Sequence, residues 1–359
     1  MTSSKQFNVA VVGYGMSAKV FHIPLVLALP SDFKLYGIVQ RSSKPTDDAA
    51  KVHPNAKVWR SVDEVYADPA VDLVVITSIP ATHYPMCKAA LEAGKNVVVE
   101  KPFVPTTKEA DELIDIAHKS GKLLTVYQNR RWDADFLTLQ QVLAEGSLGD
   151  IAEFETHYDR HRPDPPPATW KAKAEPGHGS IFDLGTHLID QVYHLFGMPQ
   201  SVTGMLWNQR RVVQGGAPDS HTLLLRYDNG MLVTVKAGVV SPEVEQLHYW
   251  VRGTKGSFKK FHVDEQEDQL KAGRGPGDEG FGVDPEYKYG TLTTLVDGKL
   301  ERKTYPTVKP LLYVEFYRQL AKALRQEGKV PVKPEDARDG LRIIEAAQQS
   351  SREGRTITL

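Results

Sequence analysis

Cysteine is nearly absent from this chain: Cys87 is the single cysteine among 359 residues, so no internal disulfide can form. That usage suits a reducing compartment. Long apolar runs are missing as well, because no stretch approaches the roughly 20 consecutive apolar residues of a membrane helix. The first residues, MTSSKQFNVAVV, have too short an apolar core for a signal peptide. We therefore expect a cytoplasmic protein with no membrane partner.

An excess of charge of either sign is also missing. The chain has 44 Lys and Arg against 45 Asp and Glu, a formal net charge of −1. No basic stripe of the kind that binds a phosphate backbone is seen, so we expect no nucleic-acid partner. The hydrophobic fraction of 41% is ordinary for a globular protein. At about 150 residues per domain, the length favours two domains.

Apolar runs of strand length alternate with helical segments over residues 1–127. The strand candidates are FNVAVVGYG, FKLYGIVQR, DLVVITS, KNVVVEK and KLLTVYQN. This alternation is typical of βαβ units and predicts an α/β domain with a parallel sheet. Residues 128–359 show alternating runs and a hairpin signal at Asp228-Asn229-Gly230. They predict an α+β domain with a mainly antiparallel sheet, whose C-terminal amphipathic helix is a candidate to pack back on the first domain.

A glycine pattern follows the first strand candidate. VVGYGMSAKVFH contains Gly13-x-Gly15-x-x-Ala18 between a predicted strand and a predicted helix. The first glycine of such a pattern permits a tight turn, and the second lets the backbone approach a pyrophosphate. A small third residue packs the helix against the strand. The βαβ context favours a Rossmann dinucleotide site that includes Met16 and Ser17 over an incidental glycine turn.

The end of the second strand candidate indicates which dinucleotide is bound. A site that prefers NAD(H) places Asp or Glu there, about 20 residues past the last glycine. This strand ends instead in Gln40, Arg41 and Ser42. Arg41 can bind a 2′-phosphate bidentately, whereas a carboxylate would repel it. We predict that NADP(H) is preferred over NAD(H); the alternative is that Arg41 and Lys44 are solvated loop cations.

The fourth strand candidate ends in Glu100-Lys101-Pro102. Ligands of open α/β sheets bind beyond the carboxyl ends of the strands, so Lys101 is expected beside the cofactor. Pro102 has no N–H and cannot continue a central strand, and the bond before it can be cis. The alternative is a strand-end lysine that simply reaches solvent.

A second polar cluster lies in GHGSIFDLGTHLIDQVYHLFG. Asp183 and His187 are four residues apart on a predicted helix and share a face, with Asp190 and His194 close to it. A carboxylate that orients an imidazole near an ammonium is an acid–base arrangement. One alternative is a helix N-terminal Asp with a core His. Another is a metal site that includes the histidines at positions 157 and 161; without a cysteine cluster, we expect no metal.

Together these stretches resemble the glucose–fructose oxidoreductase/inositol dehydrogenase/MocA (Gfo/Idh/MocA) family, over essentially the whole chain. The family's Glu-Lys-Pro motif is similar to residues 100–102, and its Gly-rich segment leading to Asp-x-x-x-His is similar to GHGSIFDLGTH. The resemblance implies an N-terminal Rossmann domain and a C-terminal domain built on a large, open, mainly antiparallel sheet.

The resemblance also implies site residues. Trp170-Lys171 stands where many members have a Trp-Arg pair on the nicotinamide side, and residues 78–83 are similar to the family's Thr-Pro-Asn-x-x-His stretch. The cofactor-binding residues are then expected to be Gly13, Gly15, Met16, Ser17, Ala18, Arg41, Ser42, Ser78, His83, Glu100, Lys101, Trp170 and Lys171. Polyol specificity requires hydrogen-bonding side chains. The substrate-binding candidates are Asn129, Arg130, Tyr158, Arg160, Asp183 and His187.

Within the family, GYGMSAKVFHIPL, YQNRRWDADF, HYDRHRP and AGRGPGDEGFGVDPE resemble the NADP-linked, scyllo-inositol-dehydrogenase-like members. The implied reaction transfers hydride between nicotinamide and a secondary alcohol or ketone of a sugar, inositol or related polyol. Lys101, Asp183 and His187 are the catalytic candidates. Whether Lys101 or His187 moves the proton stays open, since coupled groups share their titration.

The resemblance further implies a homodimer or homotetramer that pairs through the open sheet. Two other functions stay open from the residues. One is a non-catalytic protein that senses NADP or a sugar, and the other is an NAD-assisted glycosidase on the same fold. Retention of Lys101, Asp183 and His187 favours the oxidoreductase over the sensor.

Overall fold

The computed structural model describes residues 5–164, 174–210 and 216–359. They divide into two units, each of which gathers separate stretches of the chain. Unit 1 contains the residues up to Asn129 together with Gln266–Phe281 and Leu311–Arg338. Unit 2 contains Arg130–Glu265, Gly282–Pro310 and Asp339–Leu359. The domain boundary between residues 127 and 128 stays a prediction.

A six-stranded parallel sheet forms the centre of unit 1. Its strands are β1 (Phe7–Val12), β2 (Phe33–Val39), β3 (Lys57–Trp59), β4 (Leu73–Ile76), β5 (Asn96–Glu100) and β6 (Leu124–Tyr127). Its first helices are α1 (Ile23–Leu27), α2 (Ala49–Val52), α3 (Val62–Ala67), α4 (His83–Glu92) and α5 (Thr107–Ser120). The strand order β3-β2-β1-β4-β5-β6 is that of a Rossmann fold, which confirms the predicted fold of the first domain.

Local sequence explains several of these elements. The valines of β5, at positions 97–99, are fully buried, as expected for a parallel strand covered on both faces. α5 begins at a capping box. The Thr106 side chain accepts from the Glu109 N–H, and the Glu109 carboxylate accepts from the Thr106 N–H. It ends at Gly121, whose φ of 63° lies in the left-handed region that favours glycine. Thr106 and Gly121 are residue types favoured at helix N-cap and C-terminal positions, so the sequence explains both ends of this helix.

Unit 2 is built on a nine-stranded sheet. Its helices α6 (Ala134–Ala144) and α7 (Thr186–Phe196) flank the first strand in the sequence. The strands are β7 (Ile151–His157), β8 (Ser201–Trp207), β9 (Ser220–Arg226), β10 (Leu232–Ala237), β11 (Leu247–Gly253), β12 (Gly256–Phe261), β13 (Gly290–Val296), β14 (Lys299–Tyr305) and β15 (Ile357–Thr358). In the order β14-β13-β12-β11-β7-β10-β9-β8-β15, β7 and β10 pair in parallel and the other neighbours pair antiparallel. The predicted mainly antiparallel sheet is confirmed.

Later segments of the chain complete unit 1. They include α8 (Gln266–Lys271), α9 (Val314–Leu324) and the first residues of α10 (Pro334–Glu353). The Thr125 hydroxyl of β6 donates to the Val332 carbonyl at 2.7 Å, across 207 residues of sequence. Arg325 forms an ion pair with Asp32 at 2.7 Å. The Rossmann sheet is therefore packed against chain that follows β14 in the sequence.

Two π-helical turns interrupt predicted α-helices. Ala18–His22 precedes α1, and Ile181–Gly185 precedes α7. The sequence predicted continuous helices at both places, which is wrong for these first turns. Single π turns within helices are rare and occur often at functional sites. Here the first turn begins at the last residue of the glycine pattern, and the second contains Asp183.

Candidate active site

The glycine turn after β1 has the backbone that the sequence pattern requires. Gly13 has a φ of 105°, and a Cβ there would lie 2.8 Å from the Thr77 hydroxyl. Around Gly15, by contrast, a Cβ would meet nothing within 4 Å, so space is open beside this backbone. Ala18 is fully buried. A tight turn, an accessible backbone and a small buried residue fit a dinucleotide pyrophosphate.

The carboxyl end of β2 is organised by Gln40. Its side-chain oxygen accepts from the Ala49 N–H at 2.9 Å, and its amide nitrogen donates to the Asp47 carbonyl at 2.8 Å. Gln40 therefore fixes the loop that follows the strand, which the sequence alone did not indicate. Arg41 is exposed and, within the described part of the chain, makes no hydrogen bond or ion pair. Ser42 is exposed beside it.

Lys101 is half-buried and lies directly after β5, and its peptide bond to Pro102 is cis. Glu100 before it is 8% exposed and turned toward the glycine turn. One Glu100 oxygen accepts from the Ser17 hydroxyl and from His22 Nε2, the latter at 3.0 Å. The other accepts from the Lys101 N–H at 3.0 Å. Burial alone would raise the pKa of Glu100, but the bonds from His22 and Ser17 and the nearby Lys101 charge hold the pKa below its usual value.

His83 joins the loops that follow β4 and β5. Its ring nitrogens lie 2.9 Å from the Pro102 carbonyl and 3.1 Å from the Ser78 carbonyl. The side chain is fully buried, and burial lowers its pKa, which favours the neutral ring. His83 thus holds the backbone on which Lys101 sits. The cofactor contacts of Ser78 and His83 stay predictions.

The second predicted cluster lies in unit 2. Asp183 is half-buried in the π turn, and His187 is 6% exposed in the first turn of α7. Asp190, which the sequence placed near the same face, is bound bidentately by Arg131 at 2.7 and 2.8 Å. His194 is exposed. The Asp190 carboxylate is therefore occupied by a buried guanidinium.

Three of the substrate-binding candidates contact one another. Arg130 is 5% exposed and donates to Asp133 at 3.0 Å and to the Tyr158 hydroxyl at 2.9 Å. Arg160 lies over the Tyr158 ring, 4.5 Å from its centroid. Asn129 is 6% exposed at the end of unit 1. These side chains are held in place by neighbours, and their substrate contacts stay predictions.

Three further expectations concern metal, membrane and the nicotinamide side. Residues 5–164, 174–210 and 216–359 contain no group of three or more His, Cys, Asp or Glu arranged to hold a metal ion. His157 instead lies between Glu155 and Asp159, 3.3 Å from each. Over the same ranges, no helix combines the length and hydropathy needed to cross a membrane. Trp170 and Lys171 lie outside the described residues.

Two residues that organise this site, His22 and Tyr317, were not predicted from the sequence. His22 Nδ1 lies 2.6 Å from the Tyr317 hydroxyl of α9, and both side chains are fully buried. The signal for His22 was a polar residue within the apolar run KVFHIPLV, directly after the glycine turn. No local signal marks Tyr317, because its partner lies 295 residues earlier.

Family models match both parts of the chain. The model of an oxidoreductase family with an NAD-binding Rossmann fold, Gfo/Idh/MocA, matches residues 7–128. The model of that family's C-terminal alpha/beta domain matches residues 140–359. Together they cover most of the sequence.

Relatives that are similar over nearly the whole chain are also oxidoreductases. An uncharacterised oxidoreductase of Schizosaccharomyces pombe, C26H5.09c, is 41% identical over 98% of this chain and 98% of the relative. The scyllo-inositol 2-dehydrogenase (NADP(+)) IolW of Bacillus subtilis is 39% identical over 98% of this chain and 96% of the relative. The solved structure of yvaA from Bacillus subtilis is 38% identical, covers 100% of this chain and 99% of its own, and superimposes with a TM-score of 0.93.

Proposed function

The chain belongs to the Gfo/Idh/MocA oxidoreductase family, and from that premise we propose the reaction it catalyses. It is an NADP(H)-dependent oxidoreductase that transfers hydride between nicotinamide and a secondary alcohol or ketone of a sugar, inositol or related polyol. The observation that carries this proposal is the position of Lys101 directly beyond β5, next to a Glu100 bound to the glycine turn. The similarity to IolW supports a polyol as substrate. Nothing in the described residues favours the sensor.

The preference for NADP(H) rests on the end of β2. Gln40 is neutral and engaged with its own loop, so no carboxylate follows the strand directly to repel a 2′-phosphate. Arg41 has an exposed guanidinium with no partner among the described residues, so binding a phosphate breaks no existing ion pair. Ser42 supplies a hydroxyl donor beside it.

Lys101, Asp183 and His187 carry the chemistry of the proposed reaction. Bound NADPH would supply the hydride. In the reductive direction the Lys101 ammonium stabilises the growing alkoxide, and His187 donates the proton to its oxygen; Asp183 bonds the substrate hydroxyls or orients the imidazole. In the oxidative direction His187 accepts that proton as the base.

The experiment is a spectrophotometric NADP(H) screen over inososes, anhydro-sugars, aldoses and diols, followed by two variants. General acid–base groups contribute about 10²–10⁴-fold, so Lys101→Ala and His187→Ala should each lose kcat by about that factor and keep NADPH binding. Lys108→Ala and His118→Ala are matched controls at exposed positions and should retain turnover. Near-wild-type turnover by either site variant would refute its assigned role.

Pairing through the second sheet is also proposed. Met205, Trp207 and Leu224 are 53%, 70% and 36% exposed on the neighbouring strands β8 and β9. Exposed apolar patches of this kind mark interaction sites, and a second copy of this chain is the proposed occupant, giving a homodimer or homotetramer. Trp207→Asp should lower the mass measured by light scattering. An unchanged mass would refute this face as the interface. The cytoplasmic location stays a prediction.

A further inference from the structure

A buried chain of hydrogen bonds runs behind the Glu-Lys-Pro stretch in unit 1. Tyr317 bonds His22 Nδ1 at 2.6 Å, and His22 Nε2 bonds Glu100 at 3.0 Å. Glu100 then accepts from the Ser17 hydroxyl with one oxygen and from the Lys101 N–H with the other. Tyr317 and His22 are 0% exposed and Glu100 is 8% exposed, so water does not compete for these bonds.

The direction of the bond between His22 and Glu100 follows from the chemistry of the two groups. The ionised Glu100 carboxylate only accepts, so His22 must carry its proton on Nε2 and donate it. When the ring carries its proton on Nε2 alone, Nδ1 accepts from the Tyr317 hydroxyl, which lies 2.6 Å away. Burial and the nearby Glu100 charge raise the pKa of Tyr317 well above its usual value, so this hydroxyl keeps its proton. His22 therefore donates to Glu100 from Nε2, and its Nδ1 lies against the Tyr317 hydroxyl.

Glu100 occupies a branch point in this chain. Ser17 belongs to the glycine turn, and Lys101 is the proposed catalytic residue, so a displacement of the Glu100 carboxylate disturbs both. His22 contacts neither the glycine-turn backbone nor Lys101 in these bonds, and it acts on them through Glu100. Its ring packs on Tyr127, with the ring centroids 4.3 Å apart, which restricts the direction in which Nε2 points.

We propose that His22 is a positioning residue of the hydride-transfer site: supported by Tyr317, it holds the Glu100 carboxylate where Ser17 and the Lys101 backbone both bond to it. The proposal rests on the proposed function, since it assigns His22 a role in cofactor binding and turnover rather than in stability alone. If His22 served only to pack against the rings of Tyr127 and Tyr317, a side chain of similar shape without the Nε2 donor would be sufficient.

Two substitutions separate these roles. His22→Gln places an amide N–H near the former Nε2 and retains a donor to Glu100, whereas His22→Asn places its amide near the former Nδ1 and loses that donor. A hydrogen bond to a buried charge is worth about tenfold or more in an equilibrium constant. We expect His22→Asn to raise the NADPH Kd about fivefold or more and to lower kcat about tenfold. His22→Gln should recover most of both. Equal effects of the two variants on Kd and kcat, or wild-type values for His22→Asn, would overturn the proposal.

A second pair of variants tests the proposal with smaller changes, in case the His22 variants fail to fold. Tyr317→Phe removes only the hydroxyl behind His22 and should weaken NADPH binding and kcat in the same direction by a smaller factor. Tyr66→Phe is the matched control, because it removes a tyrosine hydroxyl bond in unit 1, to the Met86 carbonyl at 3.0 Å. If Tyr317→Phe and Tyr66→Phe give the same NADPH Kd, the hydrogen bonds from Tyr317 through His22 to Glu100 do not act on the cofactor, and the proposal fails.

The failure of this inference can be told apart from failure of the proposed function. NADPH affinity is measured by fluorescence without any substrate. If the wild-type protein binds NADPH but turns over no polyol or sugar, the proposed function fails, and the comparison of His22→Asn with His22→Gln still decides the inference through Kd. If the wild-type protein turns over a polyol and both His22 variants behave alike, the inference alone fails.

Discussion

Arg41→Ala is the most informative test of the cofactor assignment, because it should weaken NADPH and leave NADH unchanged. The guanidinium is exposed and has no partner in the described part of the chain, so its whole hydrogen-bonding capacity is available to a 2′-phosphate. Solvent screens an exposed pair, which reduces its worth below the 1.5–3 kcal/mol or so of a bond to a charged group. A bidentate contact should then give about 1–1.5 kcal/mol, or roughly 5–10-fold in the NADPH Kd.

The assay is a fluorescence titration of both dinucleotides at two salt concentrations. The NADPH Kd of the wild type should rise with salt more steeply than that of Arg41→Ala, because the variant lacks one of the charges that bind the phosphate. Arg342→Ala is a matched control, since it removes an exposed arginine from α10 in unit 2. An equal loss of affinity for NADPH and NADH in Arg41→Ala would refute the reasoning. A wild-type protein that binds NADH more tightly than NADPH would refute the preference itself.

Three further predictions follow from buried or strained positions. Gly13→Ala should abolish detectable NADPH binding in the same titration, because φ is 105° and the new Cβ would lie 2.8 Å from the Thr77 hydroxyl; retained affinity would contradict the tight-turn role. Arg131→Met should lower the free energy of unfolding in urea by about 3–5 kcal/mol, because it leaves the Asp190 charge buried without that partner; a loss below 1 kcal/mol or so would contradict it. Cys87 should resist thiol reagents in the native protein, since it is fully buried and burial raises its pKa; rapid labelling without unfolding would contradict it.

The parts of the fold that could be predicted are those with local signals. β5 shows three valines before Glu100, and α5 shows Thr106 with Glu109 three residues later; both patterns depend on neighbours within one element. β3 was missed because a three-residue strand has no periodicity to detect. The π turns were missed because composition does not distinguish an i→i+5 turn from an α-helical one.

The site residues also divide into those with a local signal in the sequence and those whose partners are distant in the sequence. The glycine turn and the Glu-Lys-Pro stretch could be predicted as parts of the site because each is contiguous in sequence. The sequence shows a glutamine, Gln40, where an acidic residue would favour NAD(H). Its hydrogen bonds to Asp47 and Ala49 could not be predicted, because they depend on the folded path of residues 47–49. The contact between His22 and Tyr317 joins positions 295 residues apart, and neither residue type predicts its partner. The ion pair of Asp190 with Arg131, which lies 59 residues earlier, was likewise not predicted from the sequence.

The role of Lys101 in hydride transfer is measured by single-turnover oxidation of saturating NADPH, followed by absorbance, with the best ketone from the substrate screen. We expect a fast transient for the wild type and a transient about 10²–10⁴-fold slower for Lys101→Ala, with the NADPH Kd nearly unchanged. A wild-type rate in Lys101→Ala, or the absence of any NADPH oxidation by the wild type across inososes, anhydro-sugars and aldoses, would contradict this expectation.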